Sequence, residues 1–221
     1  PTYWGFEDPG LGVKSLASYG NVLEGQNFQV TSDPDKVLDT LAGGPVGLWV
    51  LHGEYTSENP GASAFGLQPE RFLTGASILG APPTGSERRL QVLIGCQSAL
   101  FDFKVQPTEQ TGLAEPFHQV GIEAVVVASW NAETLMSRVF THVLFENLNT
   151  QASPAAAYRQ TILFLRRATV KDIIRLLDPE GFGRNLDGQT LDVLSKMLAR
   201  IGEAPPMSVL TRFGAFRLVE G

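Results

Sequence analysis

An apolar run, Val46-Gly47-Leu48-Trp49-Val50-Leu51, is followed directly by His52-Gly53-Glu54. A second run, Arg89-Leu90-Gln91-Val92-Leu93-Ile94-Gly95, is followed by Cys96, the only cysteine of the chain. Both runs have the composition of buried strands. If the two strands are parallel neighbours, their carboxyl ends lie at one edge of the sheet, where open α/β sheets place their active sites. The two runs therefore predict that His52 and Cys96 lie at the same edge.

A thiol beside an imidazole can cleave an acyl bond. The thiolate is the attacking species, and an imidazole generates it by accepting the thiol proton. The sequence thus indicates a catalytic pair of His52 and Cys96. For Cys96 taken alone, a buried small side chain without function is the alternative. His118 and His142 fall within predicted helices and are interpreted as structural or surface residues.

Strands and helices alternate around these two runs. Further strands are predicted at residues 27–30, 123–129 and 213–219. Predicted helices cover residues 34–42, 111–120, 131–148, 153–167, 169–178 and 189–201. Residues 1–26, 54–88 and 97–110 are predicted to be irregular, with one short helix near 69–79. The alternation predicts a single α/β domain over residues 1–221, with a mainly parallel central sheet, helices on both faces, and a helical insertion at 168–206.

Composition limits the classes of partner. The 221 residues are 43% apolar and carry a net charge of −6, as in a globular protein with a substantial core. Because phosphate binding needs a surplus of Lys and Arg, we expect no direct nucleic-acid partner and no membrane partner. One cysteine excludes an internal disulfide and a zinc site of several thiolates, and we expect no metal and no cofactor. Because the given sequence shows neither an apolar membrane-spanning stretch nor a secretory signal, the cytoplasm is the expected compartment.

The order of these features resembles the CHAT family, caspase-like cysteine peptidases related to caspases and separases. The resemblance rests on His52-Gly53 after one strand and Gly95-Cys96 after a later one. It extends to residues 111–117, 124–130, 153–168 and 213–218. Two features depart from it, since some relatives carry an Asp at the position of Gly95, and the predicted helices of residues 168–206 do not align with the family. Because Pro1 stands where a Met is expected, the chain is predicted to be the C-terminal part of a longer protein.

The resemblance implies a cysteine endopeptidase in which Cys96 attacks a peptide carbonyl and His52 acts as general base and then as general acid. It also implies an oxyanion hole formed by the backbone N–H groups of Gly53 and Cys96. Residues expected to line the substrate pocket are Glu54, Asp102 and Trp130, with Glu115 as a further acidic candidate. The alternative for each acidic residue is a solvated side chain, and for Trp130 a place in the core.

The resemblance further implies a protein substrate and regulation by a sensor, a helical-repeat domain or a partner protein, for example in bacterial defence. One alternative is a catalytically inactive CHAT-like module that only binds a partner. The presence of both His52 and Cys96 favours activity, since a decayed copy often loses one of them. A thiol hydrolase of another α/β fold would need a Gly-x-Cys-x-Gly turn, which Gly95-Cys96-Gln97-Ser98 does not supply.

Overall fold

A computed structural model describes most of the chain in separate ranges. They are residues 2–7, 27–31, 33–42, 44–54, 64–68, 71–81, 90–96, 114–128, 134–178, 188–201 and 216–220. The chain divides into two compact units, Pro1–Ala132 with Phe216–Gly221, and Glu133–Ala215. The first contains a mostly parallel sheet, which confirms the predicted α/β fold class. The assignment of residues 168–206 to an insertion stays a prediction.

The central sheet has six strands among the described residues. In chain order they are β1 (Thr2–Glu7), β2 (Asn27–Thr31), β3 (Val46–Glu54), β6 (Leu90–Cys96), β7 (Ala124–Ala128) and β8 (Phe216–Glu220). The two strands between β3 and β6, β4 (Ala64–Gln68) and β5 (Arg71–Thr74), form a separate antiparallel pair. The spatial order is β2-β1-β3-β6-β7-β8, and only β8 is antiparallel to its neighbour. The strand order reverses between β1 and β3, and sheets of this kind bind ligands at the carboxyl edge beside such a point.

Both units also contain α-helices. The first unit contains α1 (Gly75–Leu79) and α2 (Ala114–Gln119), and the second contains α3 (Thr134–Thr150), α4 (Pro154–Leu165), α5 (Val170–Leu177) and α6 (Gly188–Ile201). Two helix starts confirm the sequence analysis. Ser153 caps α4 through a bond from the backbone N–H of Ala156, and Thr169 forms a capping box with Asp172 at α5.

The core of the first unit lies against one face of the sheet, with Trp49 of β3 near its centre. The Trp49 side chain is fully buried, and its Nε1–H donates to Thr40 Oγ1 at 2.7 Å. Its ring packs edge-on against Phe117 of α2 at a centroid distance of 5.2 Å. The core residues of this face are Val37, Leu41, Trp49, Leu73, Ile78, Leu93, Ala114, Phe117, Ile122, Val125, Val127 and Val219. All five residues of β7 are buried, as expected for a continuous apolar strand in a parallel sheet.

Three predictions for the first half of the chain are wrong. Residues 2–7 form β1 between β2 and β3, because pairing on both sides outweighs the glycine-rich composition that predicted an irregular segment. Residues 34–42 form two 3-10 turns, Pro34–Lys36 and Leu38–Ala42, where one helix was expected; the Thr40 hydroxyl bonds the Val37 carbonyl at 2.6 Å, an alternative to regular helical pairing. The region predicted as loop with a short helix contains the β4–β5 pair, whose strands are too short to stand out in the sequence.

Candidate active site

The candidate site lies at the carboxyl ends of β3 and β6, which are parallel neighbours in the sheet. His52, Gly53 and Glu54 are the last three residues of β3, and Cys96 is the last residue of β6. Paired Cα atoms of neighbouring strands lie about 4.8 Å apart. The backbone therefore brings these four predicted residues to one edge of the sheet, beside the point where the strand order reverses.

The pairing of β3 with β6 breaks register at this edge. Val50 pairs with Ile94, and the next recorded pair joins Glu54 to Cys96, so four steps along β3 match two along β6. An unbroken ladder would have paired His52 with Cys96. β-Bulges of this kind are over-represented next to active sites, where they redirect a side chain out of the ladder. The break places His52 and Gly53 outside regular pairing and makes Glu54 the register partner of the cysteine.

The strands beneath this edge are held firmly in the core. Leu48 and Trp49 of β3 and Val92 and Leu93 of β6 are all fully buried. The bond from Trp49 to Thr40 also fastens β3 to the 3-10 turn beside it. A constellation carried on packed strands is positioned more accurately than one carried on loops. The two strands that carry the candidate site are therefore anchored in the core of the first unit.

The remaining predicted site residues differ in their placement. Asp102 and Trp130 lie outside the described residues. Glu115 is exposed on α2, and its Oε1 accepts a hydrogen bond from Gln119 Nε2 at 2.9 Å, an ordinary pair on a helix surface. His118 on α2 has its Nδ1 2.8 Å from the Ile122 carbonyl oxygen, and His142 on α3 contacts Glu146 at 3.2 Å. The contacts of both histidines fit the structural roles predicted for them.

Other kinds of functional site would have distinct signatures in the described part of the chain. No group of three or more His, Cys, Asp or Glu residues there is arranged to hold a metal ion. Within the same residues, no helix has the length and apolar character needed to cross a membrane. The second unit carries a groove of about 530 Å³ between α3, α4 and α5. Its lining includes Val143, Leu163, Phe164 and Leu176, with Glu146 and Arg167 as charged members, and it contains none of the predicted site residues.

The mostly parallel sheet with helices is consistent with a caspase-like fold. Residues 16–190 match the family model of the CHAT domain. The match covers most of the chain, and the protein therefore belongs to the CHAT family, which is related to caspase-like proteases. It includes β3 and β6 but not β1 or β8, which lie outside the matched residues. The comparison with curated proteins found no match.

Proposed function

We propose that this protein is a cysteine endopeptidase in which His52 and Cys96 form the catalytic dyad. One observation carries the proposal: the two residues lie at the carboxyl ends of adjacent parallel strands, beside the reversal of strand order. Membership of a protease-related family supports the same activity. The register break at His52 adds to this, because ladder irregularities concentrate at active sites.

In the first half of the proposed reaction, His52 accepts the proton of the Cys96 thiol, and the thiolate sulfur attacks the carbonyl carbon of the scissile peptide bond. A tetrahedral intermediate forms. Its C–N bond then breaks, the imidazolium of His52 gives its proton to the departing amine, and a thioester joins the substrate acyl group to Cys96. The amine product leaves at this stage.

In the second half, His52 accepts a proton from a water molecule, and the resulting hydroxide attacks the thioester carbonyl. The C–S bond breaks, the carboxylic acid product leaves, and the thiol is regenerated by the proton that His52 holds. The backbone N–H groups of Gly53 and Cys96 are the proposed donors to the oxyanion in both halves. A donor of this kind typically contributes about 10²- to 10³-fold in rate. Glu54, Asp102 and Trp130 remain the proposed lining residues of the substrate pocket.

The proposed enzyme is regulated, with a sensor, a helical-repeat domain or a partner protein controlling access of a protein substrate to the dyad. Bacterial defence is the proposed setting, and the cytoplasm the proposed compartment. These elements follow from the family resemblance alone. A partner that shifts an inactive arrangement toward an active one must bind the active arrangement more tightly, so it should also accelerate reaction of the thiol.

The single cysteine provides a direct test, because any thiol-specific mass shift reports on Cys96. The protein, with and without proteins encoded beside it, is incubated with a peptide library and with a cell extract, and the cut sites are identified by mass spectrometry. Cys96→Ala and His52→Ala are compared with the matched control His142→Gln on α3. Iodoacetamide labelling at neutral pH measures thiol reactivity in the same samples.

We expect the wild type and His142→Gln to cleave and both dyad variants to lose cleavage. His52→Ala should also slow labelling of Cys96 at neutral pH, since the imidazole no longer accepts the thiol proton. Cleavage that survives either dyad substitution contradicts the proposal. If no cleavage is found with any partner and Cys96 reacts no faster than a free cysteine, the protein is an inactive interaction module instead.

A further inference from the structure

The groove of the second unit is lined by side chains from three helices. α4 and the turn after it contribute a row with the spacing i, i+3, i+4 and i+7, namely Gln160, Leu163, Phe164 and Arg167. Residues with this spacing lie on one face of a helix. The rest of the lining comes from α3, from α5 and from the residue before its cap, namely Val143, Glu146, Asn147, Ala168, Asp172 and Leu176. A groove between helices is the kind of surface that receives a row of side chains from another helix.

The centre of this groove is apolar and open to solvent. Phe164 is 37% exposed, and it is one of two large apolar side chains that are exposed among the described residues. Leu163 and Leu176 are half-buried in the same groove. A small-molecule site encloses most of the surface of its ligand, which a groove with so exposed a wall does not do. Exposed apolar surface is typical instead of protein-interaction sites.

The charged residues of the lining differ in how far the chain itself compensates them. Glu146 Oε1 lies 3.2 Å from His142 Nε2. The carboxylate of Asp172 accepts hydrogen bonds from the backbone N–H and the hydroxyl of Thr169, at 2.9 and 2.7 Å. Arg167 is exposed and has no ion pair with another described residue. The groove therefore offers a positive charge to a partner, one turn beyond its apolar centre.

The segment around the groove is basic, in contrast to the protein as a whole. Residues 159–175 contain five basic residues, all exposed, and one acidic residue, whereas the net charge of the chain is −6. A positive surface attracts an acidic partner and repels a basic one. Charge complementarity therefore favours an acidic occupant.

We propose that this groove binds an amphipathic helix of a partner protein, with apolar side chains against Phe164 and an Asp or Glu one turn away that pairs with Arg167. Helices recognised in grooves present apolar anchors at spacings such as i, i+4 and i+7. The apolar anchors supply most of the affinity, and the ion pair selects the partner and its orientation. The groove contains none of the proposed catalytic residues, so the inference goes beyond the peptidase activity and does not rest on it.

The test selects the chemistry of the occupant from a defined library. Peptides of about 14 residues, which form about four helical turns, carry Leu at positions i, i+4 and i+7 and random residues elsewhere. They are displayed on phage and selected against the full chain carrying Cys96→Ala, the parent protein, in which the proposed nucleophile is absent and bound peptides stay intact. The enriched peptide and a copy with Lys in place of each acidic residue are synthesised, and fluorescence anisotropy measures their affinities.

Two substitutions in the parent protein test the two contacts, and each has a matched control. Phe164→Ser is matched by Leu79→Ser, which changes the other exposed large apolar residue, on α1. Arg167→Glu is matched by Arg159→Glu, which changes an exposed residue of α4 that does not line the groove. Circular dichroism verifies that every variant keeps its helices.

We expect the library to yield peptides with an Asp or Glu three or four residues from a Leu anchor. Phe164→Ser should weaken their binding by at least about tenfold, as truncation of a central aromatic anchor commonly does. Arg167→Glu should reverse the charge preference, so that the Lys copy binds more tightly than the acidic peptide. Both controls should bind the acidic peptide within about threefold of the parent, since salt screens charges away from the groove.

The outcomes that overturn the proposal are distinct. If no peptide is enriched, or if Phe164→Ser leaves binding unchanged, the groove is not a docking site. If the enriched peptides lack acidic residues, or bind Arg167→Glu as well as the parent, the proposed partner chemistry is wrong. If no peptide is enriched but the parent binds phosphatidylserine vesicles and Phe164→Ser does not, the surface contacts a membrane instead. Because Cys96 is absent throughout, each result is independent of whether the peptidase proposal stands.

Discussion

Replacement of Thr40 by Val should destabilise the first unit by removing one hydroxyl from its core. Thr40 is 2% exposed, and its hydroxyl is hydrogen-bonded within the core. Its oxygen accepts the Nε1–H of the fully buried Trp49 at 2.7 Å, and its own O–H donates to the Val37 carbonyl at 2.6 Å. Valine has nearly the same shape as threonine but offers neither an acceptor nor a donor. The substitution therefore leaves the indole N–H unpaired in a site that water does not reach.

The magnitude follows from these two bonds. A buried donor left without a partner costs about 1–3 kcal/mol, and loss of the bond to the Val37 carbonyl adds about 1 kcal/mol. We expect Thr40→Val to lower the free energy of unfolding by about 2–4 kcal/mol. Thr40→Ser is the matched control, since it keeps the hydroxyl and removes one methyl group, which costs about 1 kcal/mol. Comparing the free energies of unfolding of the two variants thus separates the contribution of hydrogen bonding from that of packing.

Urea unfolding followed by tryptophan fluorescence is the assay. Trp4, Trp49 and Trp130 all belong to the first unit, so the signal reports the unfolding of that unit. A double-mutant cycle with Trp49→Phe, which has no N–H to orphan, isolates the bond. We expect Thr40→Val to cost less in the Trp49→Phe background than in the wild type. The reasoning is refuted if Thr40→Val is as stable as Thr40→Ser, or if the cycle shows no coupling.

Two further substitutions test buried and exposed polar groups. Gln91 of β6 is fully buried, and its Oε1 has no hydrogen-bond partner among the described residues. Gln91→Met should therefore leave the free energy of unfolding unchanged or raise it by up to about 1 kcal/mol, whereas Leu93→Gln on the same strand should lower it. A clear loss of stability in Gln91→Met, measured by urea unfolding, contradicts this. The backbone N–H of Thr169, then its hydroxyl, and Arg175 hold the pKa of Asp172 below its ordinary value near 3.8. This lowered pKa gives stability that is present at neutral pH and lost as the pH falls through the folded-state pKa. Asp172→Asn should therefore have a lower free energy of unfolding than the wild type at pH 7, by up to about 1 kcal/mol, a figure that allows for the exposure of the carboxylate. The difference between the two proteins should narrow below pH 3.8. An equal difference at both pH values in thermal unfolding contradicts this prediction.

The elements that the sequence predicted well are those whose local pattern and tertiary packing agree. β3, β6 and β7 are continuous apolar runs, and the sheet buries them as such runs require. The caps of α4 and α5 are local devices that act over three residues, so Ser153 and Thr169 identify them without tertiary information. β1 was missed because its stability comes from pairing with β2 and β3, which lie far along the chain. The strand propensity of the residues does not include the contribution of such pairing.

The sequence predicted the edge of the sheet at which the candidate site lies, but it did not predict the register of the two strands there. The composition of the sequence predicts that His52 and Cys96 end two strands, and the alternation of strands and helices predicts a mainly parallel sheet. That the two strands are neighbours is shown by the structure. The break between Val50 and Glu54 is not readable, since nothing in His52-Gly53 distinguishes a regular strand end from an irregular one except the glycine. Sequence analysis alone therefore does not predict that Glu54, rather than His52, pairs with Cys96.

The register break bears on how the proposed dyad works. In an unbroken ladder His52 would be the partner of Cys96, with both side chains held perpendicular to the sheet at a fixed separation. A general base in a peptidase must reach the thiol in one step and the departing amine in the next. The break removes His52 from the ladder and leaves Glu54 in the partner position. In the proposed enzyme, the irregularity in β3 therefore frees the general base from the ladder pairing that would otherwise set its position opposite the nucleophile.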